Sequence, residues 1–289
     1  MENNPSFDNL FDQEHGLLVL RGAPVHLRRH LDALFCSWAE RVHAEEYSFP
    51  PLMPVAALSA AEYFSSFPHL ATLATRIDPS EQARFVETSK AGGLEKIATK
   101  HLAPARFVLP SAACYAVYQH LRSRQVESTQ YVTLMSPCFR HEDRYIAGQR
   151  QWMFHMREIV CIGPQEAVQN FLAHYREFIA EQLTQAGLAF VLAEATDPFF
   201  DKRDPRRLMQ RLEPLKHEFL WNGSLAIASV NFHKTFFGER FAISLPNGEF
   251  ASTGCVAFGL ERWLYACLHQ FGDDLTRWPA CLHTASGRL

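Results

Sequence analysis

Apolar positions recur at helical spacing through PVHLRRHLDALFCSWAERVHAEE (24–46), with charges between them, and predict an amphipathic surface helix. The period then breaks. In YSFPPLMPVAAL, Pro50, Pro51 and Pro54 fall within five residues and force an extended path suited to a sheet edge or an interface. SAAEYFSSF (59–67) sets Ser59 three residues before Glu62, a capping-box start for a short helix. RFVLP (106–110), YVTLMSPCFRHE (131–142) and WMFHMREIVCIG (152–163) read as strands, the last two forming a long antiparallel hairpin with a polar, mobile tip. PQEAVQNFLAHYREFIAEQLTQAG (164–187) opens on Pro, closes on Gly and carries a helical apolar stripe. LAFVLAEA, EFLWNG, LAIASVNFH, RFAISL and STGCVAFG add strands joined by turns, and LERWLYACLHQFG closes as a helix. The later half therefore predicts an antiparallel sheet. No repeat, low-complexity tract or linker divides the chain, so residues 1–289 are expected to form one α+β domain.

Composition adds limits. The chain has 289 residues, 47% hydrophobic and 20% charged, which supports one substantial core. A formal charge of −3 gives no global basic field for wrapping nucleic acid. MENNPSFDNL lacks the basic and apolar regions of a signal peptide, and no run is long enough to cross a bilayer, so a cytoplasmic protein with no membrane partner is expected. Seven cysteines, an odd number with no CxxC pair, do not form a disulfide framework. Most are expected to be reduced and buried.

Two stretches carry candidate chemistry. In SPCFRHED (136–143), a strand would put Arg140 and Glu142 on one face beside Cys138. Taken alone, the pair reads more readily as a plain salt bridge. In FGLERW (258–263), a glycine at a strand-to-helix junction precedes Arg262, whose guanidinium suits polyphosphate or a nucleobase face; a capped helix with a solvated arginine is the plain alternative.

Together these pieces resemble the catalytic core of class II aminoacyl-tRNA synthetases. YSFPPLMP resembles motif 1 (about 45–56), with Pro51 as its proline at a dimer interface. CFRHED…RQWMFHMREIV resembles motif 2 (about 131–162), and STGCVAFGLER resembles motif 3 (about 249–270). LPSAACYAVY, CFRHE, MREIV, TDPFF, LKHE and CVAFGLER are similar to zinc-containing seryl-tRNA synthetases, and more so to the short amino acid:[carrier protein] ligases related to them.

That resemblance implies a homodimer that activates glycine or alanine with ATP as the aminoacyl-adenylate, then loads it on the phosphopantetheine thiol of a carrier protein. It implies Cys114, Glu158 and Cys255 as zinc ligands; their spacing along the chain is no metal motif. Two thiolates and a carboxylate would leave one tetrahedral position for a substrate atom. Cys138 is expected to be an inert buried thiol, with Cys36, Cys161, Cys267 and Cys281. Arg140 would meet the α-phosphate, Glu142 the adenine side, and Phe154 and Arg262 the two faces of the base. Glu249 would hold Mg2+, and Lys216, Ser229 and Asn231 would line the amino-acid pocket. About 45 residues, with one helix, precede motif 1, so tRNA is not the expected acceptor. The basic run DKRDPRRLMQR (201–211) reads as a solvated helix face or a surface for an acidic carrier. Transfer to tRNA or a small amine, and a catalytically silent binding module, are the alternatives.

Overall fold

β-branched and aromatic runs from residue 130 onward, joined by one short edge strand from earlier in the chain, assemble a seven-stranded sheet in the computed structural model, which describes residues 11–12, 14–90, 92–201, 203 and 215–284. In chain order the strands are β1 (Phe11–Asp12), β2 (Leu17–Leu18), β3 (Glu45–Tyr47), β4 (Met53–Pro54), β5 (Thr72–Ala74), β6 (Phe107–Leu109), β7 (Gln130–Phe139), β8 (Met153–Gly163), β9 (Phe190–Glu194), β10 (Lys216–Trp221), β11 (Leu225–Lys234) and β12 (Ser252–Gly259). The helices are α1 (Ala23–Glu40), α2 (Val55–Ala60), α3 (Tyr63–Ser66), α4 (Gln82–Lys90), α5 (Cys114–His120), α6 (Gln165–Gln185), α7 (Phe236–Phe241) and α8 (Leu260–Phe271).

The large sheet runs β3-β7-β8-β12-β11-β10-β9, antiparallel except for the parallel edge pair β3 and β7. β4, β6 and β5 form a separate three-stranded sheet. Helices α1, α6 and α8 bury the back of the large sheet, where Phe35, Trp38 and Trp263 pack with Phe258. A second apolar cluster on the front gathers α5 and α7 against Leu134, Val160 and Ile162. The rest of the front face is left for a cleft. Gly254 lets α6 approach the back, since a Cβ there would stand 2.9 Å from Val168 and Leu172.

Several expectations need correction. The first helix stops at Glu40 rather than reaching residue 46; His43 turns the chain at φ 53, and Glu45–Tyr47 joins the sheet edge. The capping box does not form. Pro54 caps a helix five residues earlier, Ser59 falls inside it, and Glu62 adopts φ 56. RFAISL is not a strand, because α7 takes its first residues and Ala242 turns at φ 51. Its alternation is still used: Phe241, Ile243 and Leu245 all face the core. The hairpin tip, expected to be mobile, is tied down by the Ile146–Arg150 bridge, the Tyr145–Trp152 stack and the bond from Trp152 Nε1 to Thr72 Oγ1. Most of the basic run 201–211 lies outside the described residues.

Candidate active site

Strand register explains which side chains meet. In antiparallel pairs, residues opposite one another share a face and the face alternates along each strand. β12 places Ala257 opposite Glu158, β11 places Ser229 opposite Ala257 and Asn231 opposite Cys255, and β10 places Glu218 opposite Ser229 and Lys216 opposite Asn231. Phe154, Met156 and Glu158 follow on the same face of β8. One face of four adjacent strands therefore carries nine of the side chains that line the cleft.

The cleft has two lobes. The larger, about 470 Å3, is lined by Cys114, Glu158, Cys255, Asn231, Tyr115 and Phe199 among others. The smaller, about 80 Å3, lies over Phe154, Glu142, Arg150, Glu218 and Arg262. Arg140, Met156, Lys216, Ser229 and Ala257 line both, so the lobes meet at those five residues.

At the far end of the larger lobe, one ligand atom each from Cys114, Glu158 and Cys255 lie within 4.8 Å of one another, all three residues buried. Cys114 opens α5, Glu158 is central in β8 and Cys255 is in β12. The N–H of Ala113 donates to Glu158 Oε1 at 3.0 Å, whereas Glu158 Oε2 is buried with no partner. Asn231 Nδ2 donates to Cys255 Sγ at 3.4 Å and to Ser229 Oγ at 3.0 Å. His233 Nε2 lies 3.9 Å from Cys255 Sγ, and its Nδ1 is 3.2 Å from both the Tyr118 hydroxyl and Thr253 Oγ1.

Protonation follows burial here. The bond from Cys114 to Cys255, then burial and the Glu158 charge, hold the Cys114 thiol well above its usual range. The same bond lowers Cys255, but burial and Glu158 leave it raised. Burial raises Glu158 against the Ala113 N–H and the thiols, which lower it. Burial also pulls His233 down to about 4, so the imidazole is neutral at pH 7. Two soft thiol donors, one carboxylate and an orphaned buried oxygen are a donor set that fits zinc.

At the other end, Arg140 Nε donates to the Ser111 carbonyl at 3.0 Å, and its guanidinium stands 5.0 Å from the Phe154 ring centroid. Arg262 donates from Nε to the Gln149 carbonyl at 2.7 Å and from one terminal nitrogen to the Ala226 carbonyl at 3.0 Å. Burial, then the charge of Arg140, pulls Arg262 down to about 10, leaving it charged at pH 7. Lys216 lies 3.1 Å from Asp197 and 3.2 Å from Glu218; burial opposes its charge, but the two carboxylates outweigh it and raise its pKa.

Three expectations change. β7 ends at Phe139, so Arg140 and Glu142 do not share a strand face, and Glu142 pairs with Arg150 at 2.6 Å. Glu249 lines neither lobe. It sits exposed in a turn, bonded to Asn247, beyond the end of β12 opposite to Arg262. Cys36 and Cys281, expected to be buried thiols, are only partly buried, whereas Cys138 is fully buried as expected and burial pushes its thiol far up. Glu218, Arg150, Asp197 and His233 line the cleft without having been singled out as site residues. Glu218 was within reach, because it lies two residues from Lys216 on a strand. For Asp197, in a coil, the sequence carries no periodic signal.

Residues 103–271 match the tRNA synthetase class II core domain (G, H, P, S and T). The chain is 35% identical over 260 residues to amino acid--[acyl-carrier-protein] ligase 1 of Bradyrhizobium diazoefficiens, covering 86% of this chain and 78% of that protein. It is 25% identical over 285 residues to the type-2 serine--tRNA ligase of Methanococcus aeolicus, covering 91% of this chain and 54% of that one. The fold matches the M. kandleri seryl-tRNA synthetase solved with A. aeolicus tRNASec, with a TM-score of 0.79 at 21% identity over 93% of this chain and 56% of that one. The chain thus spans about half the length of these serine enzymes. The domain match and the identity to the Bradyrhizobium ligase together show that this chain belongs to the class II tRNA synthetase core family and, within it, to the amino acid--[acyl-carrier-protein] ligases.

Proposed function

We propose that this protein activates a small amino acid, glycine or alanine, with ATP and transfers it to the phosphopantetheine thiol of a carrier protein. The observation that carries the reading is the meeting of the two lobes at Arg140 and Lys216, with the donor triad on one side and Phe154 and Arg262 on the other. The donor set would be occupied by zinc, held by Cys114, Glu158 and Cys255. When bound, zinc supplies a Lewis-acid contact for an uncharged amine.

The chain's own residues then orient both substrates. Asn231 and Ser229 line the amino-acid side, and the substrate carboxylate points toward Arg140 and Lys216 at the junction. Phe154 offers a ring face for adenine; a base stacked there displaces the Arg140 guanidinium toward the α-phosphate. Arg262, already fixed by two carbonyls, presents its plane to the base with little ordering left to do. A carboxylate oxygen attacks the α-phosphorus, the bond to pyrophosphate breaks, and the adenylate forms. The carrier thiol next gives its proton to water, its sulfur attacks the acyl carbon, and the bond from that carbon to the phosphate oxygen breaks to release AMP. Arg140 stabilises charge at phosphorus, and no protein nucleophile is required.

ATP would arrive with Mg2+. Of the carboxylates that line the smaller lobe, Glu142, Glu218 and Glu261, the last has both oxygens engaged with His155, so Glu142 and Glu218 are the oxygen ligands within reach, in place of Glu249. The homodimer would form through the motif 1 segment, where Pro51 and Leu52 are exposed. Among the described residues no helix is long and apolar enough to cross a membrane; a cytoplasmic reaction is part of the same proposal. Pyrophosphate exchange with single amino acids, followed by mass spectrometry of a holo-carrier, tests both halves. Exchange with glycine or alanine and a matching mass gain on the carrier are expected; exchange with no carrier loading would overturn the transfer step.

A further inference from the structure

The back of β8 carries a second set of charged side chains. Phe154, Met156 and Glu158 face the cleft, while His155 and Arg157 point the other way, toward α1 and α8. Arg157, 3% exposed, makes a two-pronged pair with Asp32 at 2.8 and 3.0 Å and reaches Glu46 at 2.7 Å. One turn earlier on α1, Arg28 reaches the other network. Glu261, 4% exposed, accepts the backbone N–H of His155 at 2.8 Å through Oε2. Its Oε1 lies 2.7 Å from His155 Nδ1 and 3.3 Å from Arg28.

We infer that Glu261, with His155 and Arg28, is a positioning residue that fixes the width of the slot between Phe154 and Arg262. Glu261 directly precedes Arg262 in the first turn of α8, and His155 directly follows Phe154 on β8. A carboxylate bonded to the His155 N–H joins the two backbones at the residues next to the slot walls. Both oxygens of Glu261 are used, so small rotations of α8 against β8 break charge-assisted bonds in a buried setting. The Arg157–Asp32 pair lies on the same strand and ties α1, but touches neither wall. It supplies a control with similar chemistry, a carboxylate from a helix bonded to a side chain of β8, although Asp32 is more exposed than Glu261.

This inference rests on the nucleotide reading of the smaller lobe, and the test separates the two. Binding of ATP and of AMP to wild type, E261Q, H155Q and D32N is measured by calorimetry on the zinc-loaded chain, beside melting temperature and the amino-acid KM for exchange. Positioning predicts that E261Q weakens ATP and AMP alike by about tenfold, with the amino-acid KM within about twofold of wild type. D32N is expected to lower the melting temperature yet leave nucleotide affinity within about twofold. Removing a negative charge beside a triphosphate would, by charge alone, tighten ATP, so the sign of the change is decisive. If E261Q does not fold, H155Q carries the test, with weakening of about threefold, because it removes the ring but keeps the backbone bond. Unchanged or tighter nucleotide binding in the folded variant overturns the inference alone. Failure of wild type to bind ATP or AMP overturns the nucleotide reading, and the slot with it.

Discussion

At the Phe154 end of the cleft the charged side chains already have partners within the protein: Arg262 with two carbonyls, Arg140 with Ser111, Glu142 with Arg150, Lys216 with Asp197 and Glu218. At the Cys114 end, Glu158 Oε2 is buried without one, and the thiols beside it are held protonated by burial and by the Glu158 charge. An unsatisfied buried oxygen costs about 1–3 kcal/mol, so the sequence retains three donors there at the expense of the empty fold. One end is preorganised by protein bonds. The other is completed by whatever binds it, and the two should respond differently to mutation, metal and pH.

The largest effect is expected at the incomplete end. Replacing Cys255 with Ser removes a soft donor, and should abolish zinc retention on dialysis and lower exchange by at least about a hundredfold, beyond the usual loss from an outer-sphere partner. Retained stoichiometric zinc in C255S would break the comparison. At the preorganised end, Arg140→Ala should lower exchange by about 10²–10³ while leaving zinc content unchanged, because it removes transition-state stabilisation but no donor. Zinc analysis beside kinetics separates the two ends.

A smaller and subtler effect concerns pH. Cys114 and Cys255 have pKa values raised above 9.0 in the folded metal-free chain, so the folded state holds their protons more tightly than the unfolded state does. Stability they contribute is fully present below pH 9 and is lost as pH rises through their folded values. Thermal melts of the chelated protein should therefore fall above pH 9 more steeply than those of the zinc-loaded protein, since metal binding already requires the two thiolates, while the raised thiols of Cys138, Cys161 and Cys267 act on both forms alike. Parallel melting curves would show that the thiols are not the metal ligands. Least affected of all should be Glu249→Gln, expected within about twofold of wild type in exchange, as for an exposed turn residue. A loss of several tenfold steps would return Glu249 to the site.

These contrasts bear on what the chain discloses before folding. β7, β8, α6 and α8 were legible because one period runs through each of them unbroken. The helix boundary near Glu40, the missing capping box at Ser59 and the turn at Ala242 were not, since each depends on a neighbour far away in sequence: β7 for Glu45–Tyr47, and the core for Phe241 and Ile243. The site divides in the same way. Arg140, Phe154 and Arg262 belong to short phrases whose likeness to known motifs can be read directly. Cys114, Glu158 and Cys255 have no local signature, and only the register of β12 on β8 with α5 above them brings the three together. Lys216 indicates a middle case, because strand alternation extends its face to Glu218 without any homologue.

The central claim is that a metal-completed amino-acid pocket and a preorganised nucleotide slot share one cleft. Amino-acid-dependent pyrophosphate exchange of the zinc-loaded protein, repeated after chelation and again after zinc is restored, tests it most directly. The account predicts exchange with glycine or alanine that disappears with the metal and returns with it. Exchange that persists undiminished in fully chelated protein would contradict it.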